Sequence, residues 1–332
     1  MAYLMSARRA LVTGVSGQDG SYLAELLVAK GYDVSGVVRD PADRDLPHLS
    51  AVRDRISLLH GDLDEPRSLV DALGAVRPHE LYHLAAPTFV PASWEDPAEP
   101  MAAIAGATGT LLTAARHLDP GTRIFVATSS EIFGDAGESP QRESSPKRPR
   151  SPYGIAKLAA HQLVGVLRER FDLFAVSGIL YNHESPRRPL HFLPRKVTRG
   201  AAAIALGLQE ELVLGDLGAV RDWSHAADMM RGAWLSLQAD EPGDYVFASG
   251  VGHTVGGLVD AAFSAAGIWS EGRIRVDPEF VRPPEATPPI GDPTRARTVL
   301  GWAPEHAFEA MIAEMVATDL AELRAGAAPG QA

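Results

Sequence analysis

Cysteine is absent from the 332 residues, which excludes disulfides and thiolate-bound metals. Also missing is any run of 18 or more apolar residues, and Met1 to Ala10 carries no secretory signal pattern. A cytoplasmic location is therefore expected. Basic residues are few: 31 Lys and Arg stand against 42 Asp and Glu, a net charge of −11. Such a balance disfavours a broad polyanion-binding surface, so nucleic acid is not an expected partner, and a phosphate has to be held by a local group of arginines. What is present is a soluble globular composition, 45% hydrophobic and 22% charged, with no internal repeat and no long flexible linker.

Short apolar runs alternate with helical patterns through the first half. Ala10 to Gly14 reads as a strand, followed by Gly14-Val15-Ser16-Gly17-Gln18-Asp19-Gly20 and a helix over Ser21 to Lys30. Glycines at 14, 17 and 20 allow a tight turn, a close approach to a pyrophosphate and packing of helix on strand, and the helix N-terminus supplies N–H groups and partial positive charge. A second strand, Asp33 to Val38, ends in Arg39-Asp40, where a dinucleotide fold meets the adenosine ribose. Arginine there suits a 2′-phosphate and an acid suits a free 2′-hydroxyl; NADP is expected, with NAD left open by Asp40. Strand Ile56 to Leu59 leads to Gly61-Asp62-Leu63, helix Glu65 to Val76 follows, and strand Glu80 to Leu84 leads to Ala85-Ala86-Pro87-Thr88. A long helix spans Met101 to Leu118, and the apolar run Ile124 to Ala127 is the next strand.

This alternation predicts an α/β fold, a doubly wound parallel sheet of Rossmann type with its ligand at the C-terminal ends of the strands. After strand Phe174 to Leu180 the regularity fades: helices are expected at Leu193 to Leu208, His225 to Gln238, Thr254 to Ala266 and Ala307 to Leu323, and a short strand at Glu211 to Leu214. We assign 1–180 to the dinucleotide-binding domain, with part of 211–250 returning to it, 181–325 mainly to a smaller C-terminal substrate lobe, and 326–332 to a tail.

The chemistry gathers between Thr128 and Lys157. Ser129, Ser130 and Glu131 emerge where a buried strand ends, and Pro152 opens a helix that puts Tyr153 and Lys157 on one face. A lysine ammonium beside a phenol favours the phenolate and is expected to lower the tyrosine pKa from about 10 towards neutrality, making Tyr153 a general base. Glu131 adds the means to remove a proton α to a ketone and expel a β-hydroxyl. Arg187, Arg188, Arg221 and Arg282 form a set suited to a diphosphate, and Glu285 can accept from sugar hydroxyls. His79 and His83 have a metal-compatible spacing but lack a third ligand, so no metal site is expected.

The stretches Thr13-Gly14-Val15-Ser16-Gly17-Gln18-Asp19-Gly20-Ser21-Tyr22-Leu23-Ala24-Glu25, Ser130-Glu131-Ile132-Phe133-Gly134, Arg150-Ser151-Pro152-Tyr153 and Asn182-His183-Glu184-Ser185-Pro186-Arg187-Arg188 carry a resemblance that runs nearly the whole length of the chain. So do Arg195-Lys196-Val197-Thr198, Arg221-Asp222-Trp223, Arg282-Pro283-Pro284-Glu285 and Leu300-Gly301-Trp302. The chain resembles the extended short-chain dehydrogenase/reductases, and within them the GDP-mannose 4,6-dehydratases.

That resemblance implies a lyase acting on a nucleotide sugar, with GDP-mannose as substrate. Tyr153, helped by Lys157 and Ser129, takes the O4 proton as hydride leaves C4; Glu131 takes the C5 proton; water leaves C6 with help from the Ser130 side; hydride returns to C6. It further implies cofactor contacts at Ser16, Gln18, Asp19, Leu63, Leu84, Ala85, Ala86, Thr88, Lys157, His183 and Arg188, and substrate contacts at Asn182, Arg187, Lys196, Arg221, Arg282 and Glu285. A homodimer or homotetramer, paired through the helices Met101 to Leu118 and Tyr153 to Phe171, is implied as well. A reductase or epimerase of the same fold, for which Glu131 is unnecessary, and a non-catalytic dinucleotide-binding regulator are the alternative readings. The chain departs from the family pattern at Ser129, usually threonine, at Arg39-Asp40-Pro41-Ala42, at Met101, at Pro87 and Pro91, and at Pro189-Leu190-His191.

Overall fold

The apolar runs of the first half become the strands of one parallel sheet. A computed structural model describes residues 7–280 and 287–327. In chain order the first six strands are β1 (Arg9–Thr13), β2 (Asp33–Val38), β3 (Ile56–His60), β4 (Glu80–His83), β5 (Arg123–Ser129) and β6 (Ala175–Leu180). Every residue of β4 and β6 is buried, as expected for strands covered by helices on both faces. The chain later returns: β10 (Asp244–Phe247) pairs in parallel with β6 and completes a seven-stranded sheet in the order β10-β6-β5-β4-β1-β2-β3. Strand order reverses between β1 and β4, the crevice in which open α/β sheets bind their ligands.

Helices α1 (Gln18–Ala29) and α7 (Ala226–Ser236) cover one face. On the other lie α2 (Pro66–Val76), α4 (Ala107–Leu118) and α5 (Pro152–Phe171). Helix α1 begins at Gln18, earlier than expected, because Gly17 takes the extended cap conformation and places Gln18, Asp19 and Gly20 in the first turn. The expected single helix Met101 to Leu118 is interrupted. A three-residue α3 (Ala98–Pro100) runs into a π-helical turn, Met101–Gly106, before α4. The wider turn seats Ile104 against Tyr153, Ala156 and Ala160, and such turns occur often at functional sites.

The smaller lobe is built from β7 (Asn182–Glu184), β9 (Val220–His225) and β11 (Gly252–Thr254), a parallel pair β8 (Leu212–Leu214) and β12 (Ile274–Val276), and helices α6 (Leu193–Ala205) and α8 (Val255–Ala265). Helix α9 (Thr294–Leu300) and α10 (Phe308–Ala327) finish the described chain. Val197, Ala201, Leu258, Phe263, Ile312 and Met315 form the lobe's core. Trp302 instead joins the core of the large sheet, and its indole N–H donates to the Asp228 carbonyl at 2.8 Å. Helix α10 extends to Ala327, past the expected end at Leu323. Among the described residues no helix is long and apolar enough to cross a membrane.

Candidate active site

The glycine turn fits a dinucleotide. Gly14 has φ +69°, and a Cβ there would lie 3.0 Å from the Ala85 backbone; a Cβ on Gly20 would lie 2.2 Å from the Gly14 carbonyl oxygen. Both contacts demand glycine and press the turn against the end of β4 on one side and α1 on the other. Gly17 has no side chain with which to cap α1, so the first-turn N–H groups keep their capacity for a pyrophosphate. Thr13 Oγ1 accepts from Leu84 N (3.1 Å) and Ala85 N (3.2 Å) and lies 2.9 Å from His83 Nδ1. Its hydroxyl hydrogen therefore goes to His83, which burial and the nearby Lys157 charge hold neutral, with a pKa lowered to about 3. His79 Nδ1 accepts from Arg9 N, so both histidines serve strand ends.

Arg39 is exposed at the end of β2. The neighbouring Asp40 Oδ1 accepts from Ala42 N at 2.8 Å within its own loop. Asp62 makes the same kind of turn, Oδ1 accepting from Asp64 N at 3.0 Å, with Ser16, Leu63 and Ala86 half-buried along the crevice.

Two local devices bring the catalytic candidates together. Ser151 caps α5, its Oγ accepting from Gly154 N at 3.0 Å, with Pro152 in the first turn. A Cβ on Gly154 would lie 2.7 Å from the Glu131 carbonyl oxygen, so α5 starts in direct contact with the turn Ser130–Ile132 that follows β5. Ser129 Oγ accepts from Glu131 N (3.2 Å), which leaves its hydroxyl hydrogen for the Tyr153 phenol. Glu131 is exposed, near enough for its charge to act on Tyr153, and Ser130 is half-buried.

Electrostatically the site differs from expectation. Burial raises the Tyr153 pKa above its ordinary value, the Ser129 hydrogen bond opposes this, and Arg188 is the cation that favours the phenolate. Lys157 does not bring Tyr153 towards neutrality: its Nζ donates to the Ala127 carbonyl at 2.8 Å and lies 5.8 Å from the tyrosine ring centroid. Burial outweighs the attraction of Asp19 and draws Lys157 itself down to about 8.

The two most distinctive sequence motifs form one contact. Asp19 Oδ2 lies 2.9 Å from His183 Nε2, and His183 Nδ1 lies 2.7 Å from the Tyr181 carbonyl. With both nitrogens facing acceptors, the charged ring is favoured: burial works against the charge, Asp19 overcomes it, and the His183 pKa is raised while that of Asp19 is lowered. Ser185 Oγ donates to Gln18 Oε1 (2.8 Å) and Gln18 Nε2 to the His183 carbonyl (3.2 Å).

Arg187, expected on the substrate diphosphate, is placed on α1 instead. Its guanidinium donates to Ser21 Oγ (2.9 Å) and Glu25 Oε1 (2.7 Å) and stacks 3.9 Å from the Tyr22 ring centroid. Arg188 pairs with buried Glu184 at 3.3 Å. Asn182 is paired beside Trp223 in the β7–β9 ladder, and the half-buried Arg221 donates to the Val220 carbonyl at 2.6 Å. Lys196 Nζ lies 5.1 Å from the Phe280 ring centroid. Arg282 and Glu285 lie outside the described residues.

A cavity of about 270 Å³ opens beside Tyr153, lined by Pro87, Thr88, Phe89, Ala92, Ser93, Glu99, Pro100, Pro189, His191 and Phe192. Of these, Phe89, Ala92, Ser93, Glu99, Pro100 and Phe192 were missed by sequence reasoning, because no periodicity marks loop residues that converge across a cleft. Asp222 was missed as a support: it is fully buried, and its carboxylate gathers Ser249, Gly250 and Gly291 around β9.

Parallel sheet, glycine turn, Ser/Tyr/Lys constellation and smaller C-terminal lobe together define an extended short-chain dehydrogenase/reductase with an NAD(P)-binding Rossmann domain. The family model described as GDP-mannose 4,6 dehydratase matches residues 11–315, and the chain belongs to that family. It is similar to the GDP-mannose 4,6-dehydratase of Sinorhizobium fredii, 42% identical over 341 residues, covering 95% of this chain and 97% of the relative. It is also similar to the GDP-mannose 4,6-dehydratase of Yersinia enterocolitica, 39% identical over 353 residues, covering 96% and 95%. Among solved structures, the UDP-glucose 4-epimerase of Thermus thermophilus in complex with NAD superposes with TM-score 0.79 at 27% identity, covering 94% of this chain and 98% of that one. The chain thus stands among the NAD(P)-dependent nucleotide-sugar dehydratases and epimerases.

Proposed function

We propose that the protein is a nucleotide-sugar 4,6-dehydratase converting GDP-mannose to GDP-4-dehydro-6-deoxy-D-mannose, with NADP as cofactor. The observation that carries this reading is Glu131, which stands in the turn after β5, donates its backbone N–H to Ser129 Oγ and acts through its charge on Tyr153. Oxidation at C4 alone needs only the tyrosine.

When bound, the nicotinamide cofactor supplies the hydride acceptor for C4 and the hydride donor for C6. Tyr153 takes the O4 proton, Ser129 donates to its phenolic oxygen, and the positive charge of Arg188 favours the phenolate that burial opposes. The 4-ketone acidifies C5, and Glu131 removes that proton as the C6 hydroxyl leaves as water, protonated from the Ser130 side. Glu131 then returns a proton to C5 once C6 is reduced.

Arg39 supports the choice of NADP, since its neighbour Asp40 is drawn into its own loop by Ala42 and the exposed guanidinium is left to meet a 2′-phosphate. Self-association belongs to the same reading. Leu118, Ile155, Val166 and Phe171 are exposed on α4 and α5, and small residues such as Ala105, Gly106 and Gly109 line an open groove of about 650 Å³ there. Such a surface suits an isologous helix-pair interface.

The test is incubation with GDP-mannose, UDP-glucose and dTDP-glucose, the product being read by mass. Loss of one water from GDP-mannose is expected. A product of unchanged mass points to a 4-epimerase instead, and turnover of none of the three overturns the dehydratase reading.

A further inference from the structure

Three rings from two parts of the chain line the cavity together with Tyr153. Phe89, from the loop after β4, meets His191 edge-on at 4.9 Å between centroids and Phe192 at 5.8 Å. The His191 and Phe192 ring centroids lie 4.5 Å apart, and the Arg188 guanidinium sits 3.6 Å from the Phe192 ring centroid. The rings hold one another in edge and tilted contacts, and Arg188 anchors them to buried Glu184. His191 is thereby fixed in orientation while its imidazole stays exposed at the cavity. A cavity of about 270 Å³ takes one sugar ring and no nucleotide, being at the lower edge of the range for small-ligand sites.

We propose that His191 is a specificity-determining residue that, with Phe89, reads the C2–C3 edge of the hexose; this rests on the dehydratase reading above. Tyr153 meets O4 in that reading, and Glu131 serves C5 and C6. Glu131 does not line this cavity; with O4 assigned to Tyr153 and C5–C6 to Glu131, the C2–C3 edge is the part of the ring left for the Phe89–His191 wall. Much of the remaining wall, with Pro87, Ala92, Pro100 and Pro189, is apolar and cannot distinguish epimers by hydrogen bonding. The His191 imidazole can, since its ring nitrogens are hydrogen-bonding groups that suit vicinal hydroxyls. The preferred class is a nucleoside-diphosphate hexose of manno configuration, where the axial C2 hydroxyl is the group that differs from the gluco epimer.

The experiment compares wild type, His191→Ala, His191→Gln and Phe89→Ala on GDP-mannose and GDP-glucose. Both kcat/KM and equilibrium binding by calorimetry are measured. Wild type should favour GDP-mannose, His191→Ala should shrink the preference roughly 10-fold, the worth of one hydrogen bond placed for recognition, and His191→Gln should restore part of it. Phe89→Ala should relax it by freeing the ring. A wild-type ratio near one, or a ratio that His191→Ala leaves unmoved, overturns the proposal. Binding needs no turnover: a chain that dehydrates neither sugar, yet whose binding ratio shifts in His191→Ala, refutes the reaction and keeps the specificity assignment.

Discussion

Lys157 is where the site works against the fold. Its side chain is 5% exposed, and burial lowers its pKa from 10.5 to about 8. Below pH 8 the lysine is charged in both folded and unfolded chains, so the folded state bears the whole burial penalty. Above 10.5 it is neutral in both, and the penalty is gone. The interval between these values corresponds to roughly 3 kcal/mol, most of it released between pH 7 and 10.

Lys157→Met keeps the length and removes the charge. It also removes the hydrogen bond to the Ala127 carbonyl, a loss of about 1–3 kcal/mol that the pH dependence carries only through the charged form. The diagnostic is therefore the slope. Stability of wild type minus that of Lys157→Met should rise by roughly 2–3 kcal/mol from pH 7 to pH 10. Urea unfolding of the cofactor-free protein at each pH measures it, because a cofactor bound to the native state would add its own linkage. A difference that stays flat across that range refutes the claim that Lys157 is buried as an ammonium.

Three further outcomes are expected. Glu131→Gln should slow elimination by roughly 10²- to 10⁴-fold while cofactor binding holds, and wild-type turnover in D₂O should place deuterium at C5; product with protium at C5 would assign the base elsewhere. Arg39→Ala should weaken NADP relative to NAD by about 10- to 100-fold, the worth of a charge-assisted phosphate contact; titration of both cofactors checks this, and an unchanged ratio removes Arg39 from the 2′-phosphate. The protein should be a dimer or larger by light scattering at micromolar concentration, and Val166→Lys, which charges the exposed face of α5, should shift it towards monomer; a wild-type monomer ends that expectation.

Much of the fold was legible because a parallel sheet buries both faces of its strands. Val34–Val38 and Ala175–Leu180 are continuously buried runs, apolar but for Ser35 and Ser177. The Tyr153/Lys157 pair and the carboxylate at Glu131 were legible for the same reason, since a strand end and a helix start fix positions along the chain. Strands β7, β11 and β12 have three residues each, too few to show a period. The sign of the Tyr153 shift was not legible, because spacing places Lys157 on its face but gives neither the burial of the phenol nor the Ala127 carbonyl that the ammonium chooses.

The fate of Arg187 shows most clearly what sequence order conceals. Read along the chain, two adjacent arginines after a strand look like a diphosphate clamp. In space, Gln18, Asp19, Ser21, Tyr22 and Glu25 form one surface of α1, and His183, Ser185 and Arg187 fill it residue for residue. Arg187 is thereby committed to the helix that begins at the cofactor turn. Arg188 is left to act on Tyr153 and to stack on the Phe192 ring of the cavity beside it. The two distinctive motifs are one clasp divided between distant parts of the chain, and it fixes the segment carrying Asn182 and His191 relative to α1 and the glycine turn. A substitution in α1 at Glu25 should therefore be felt at the sugar, although Glu25 has no part in the proposed contacts to cofactor or substrate.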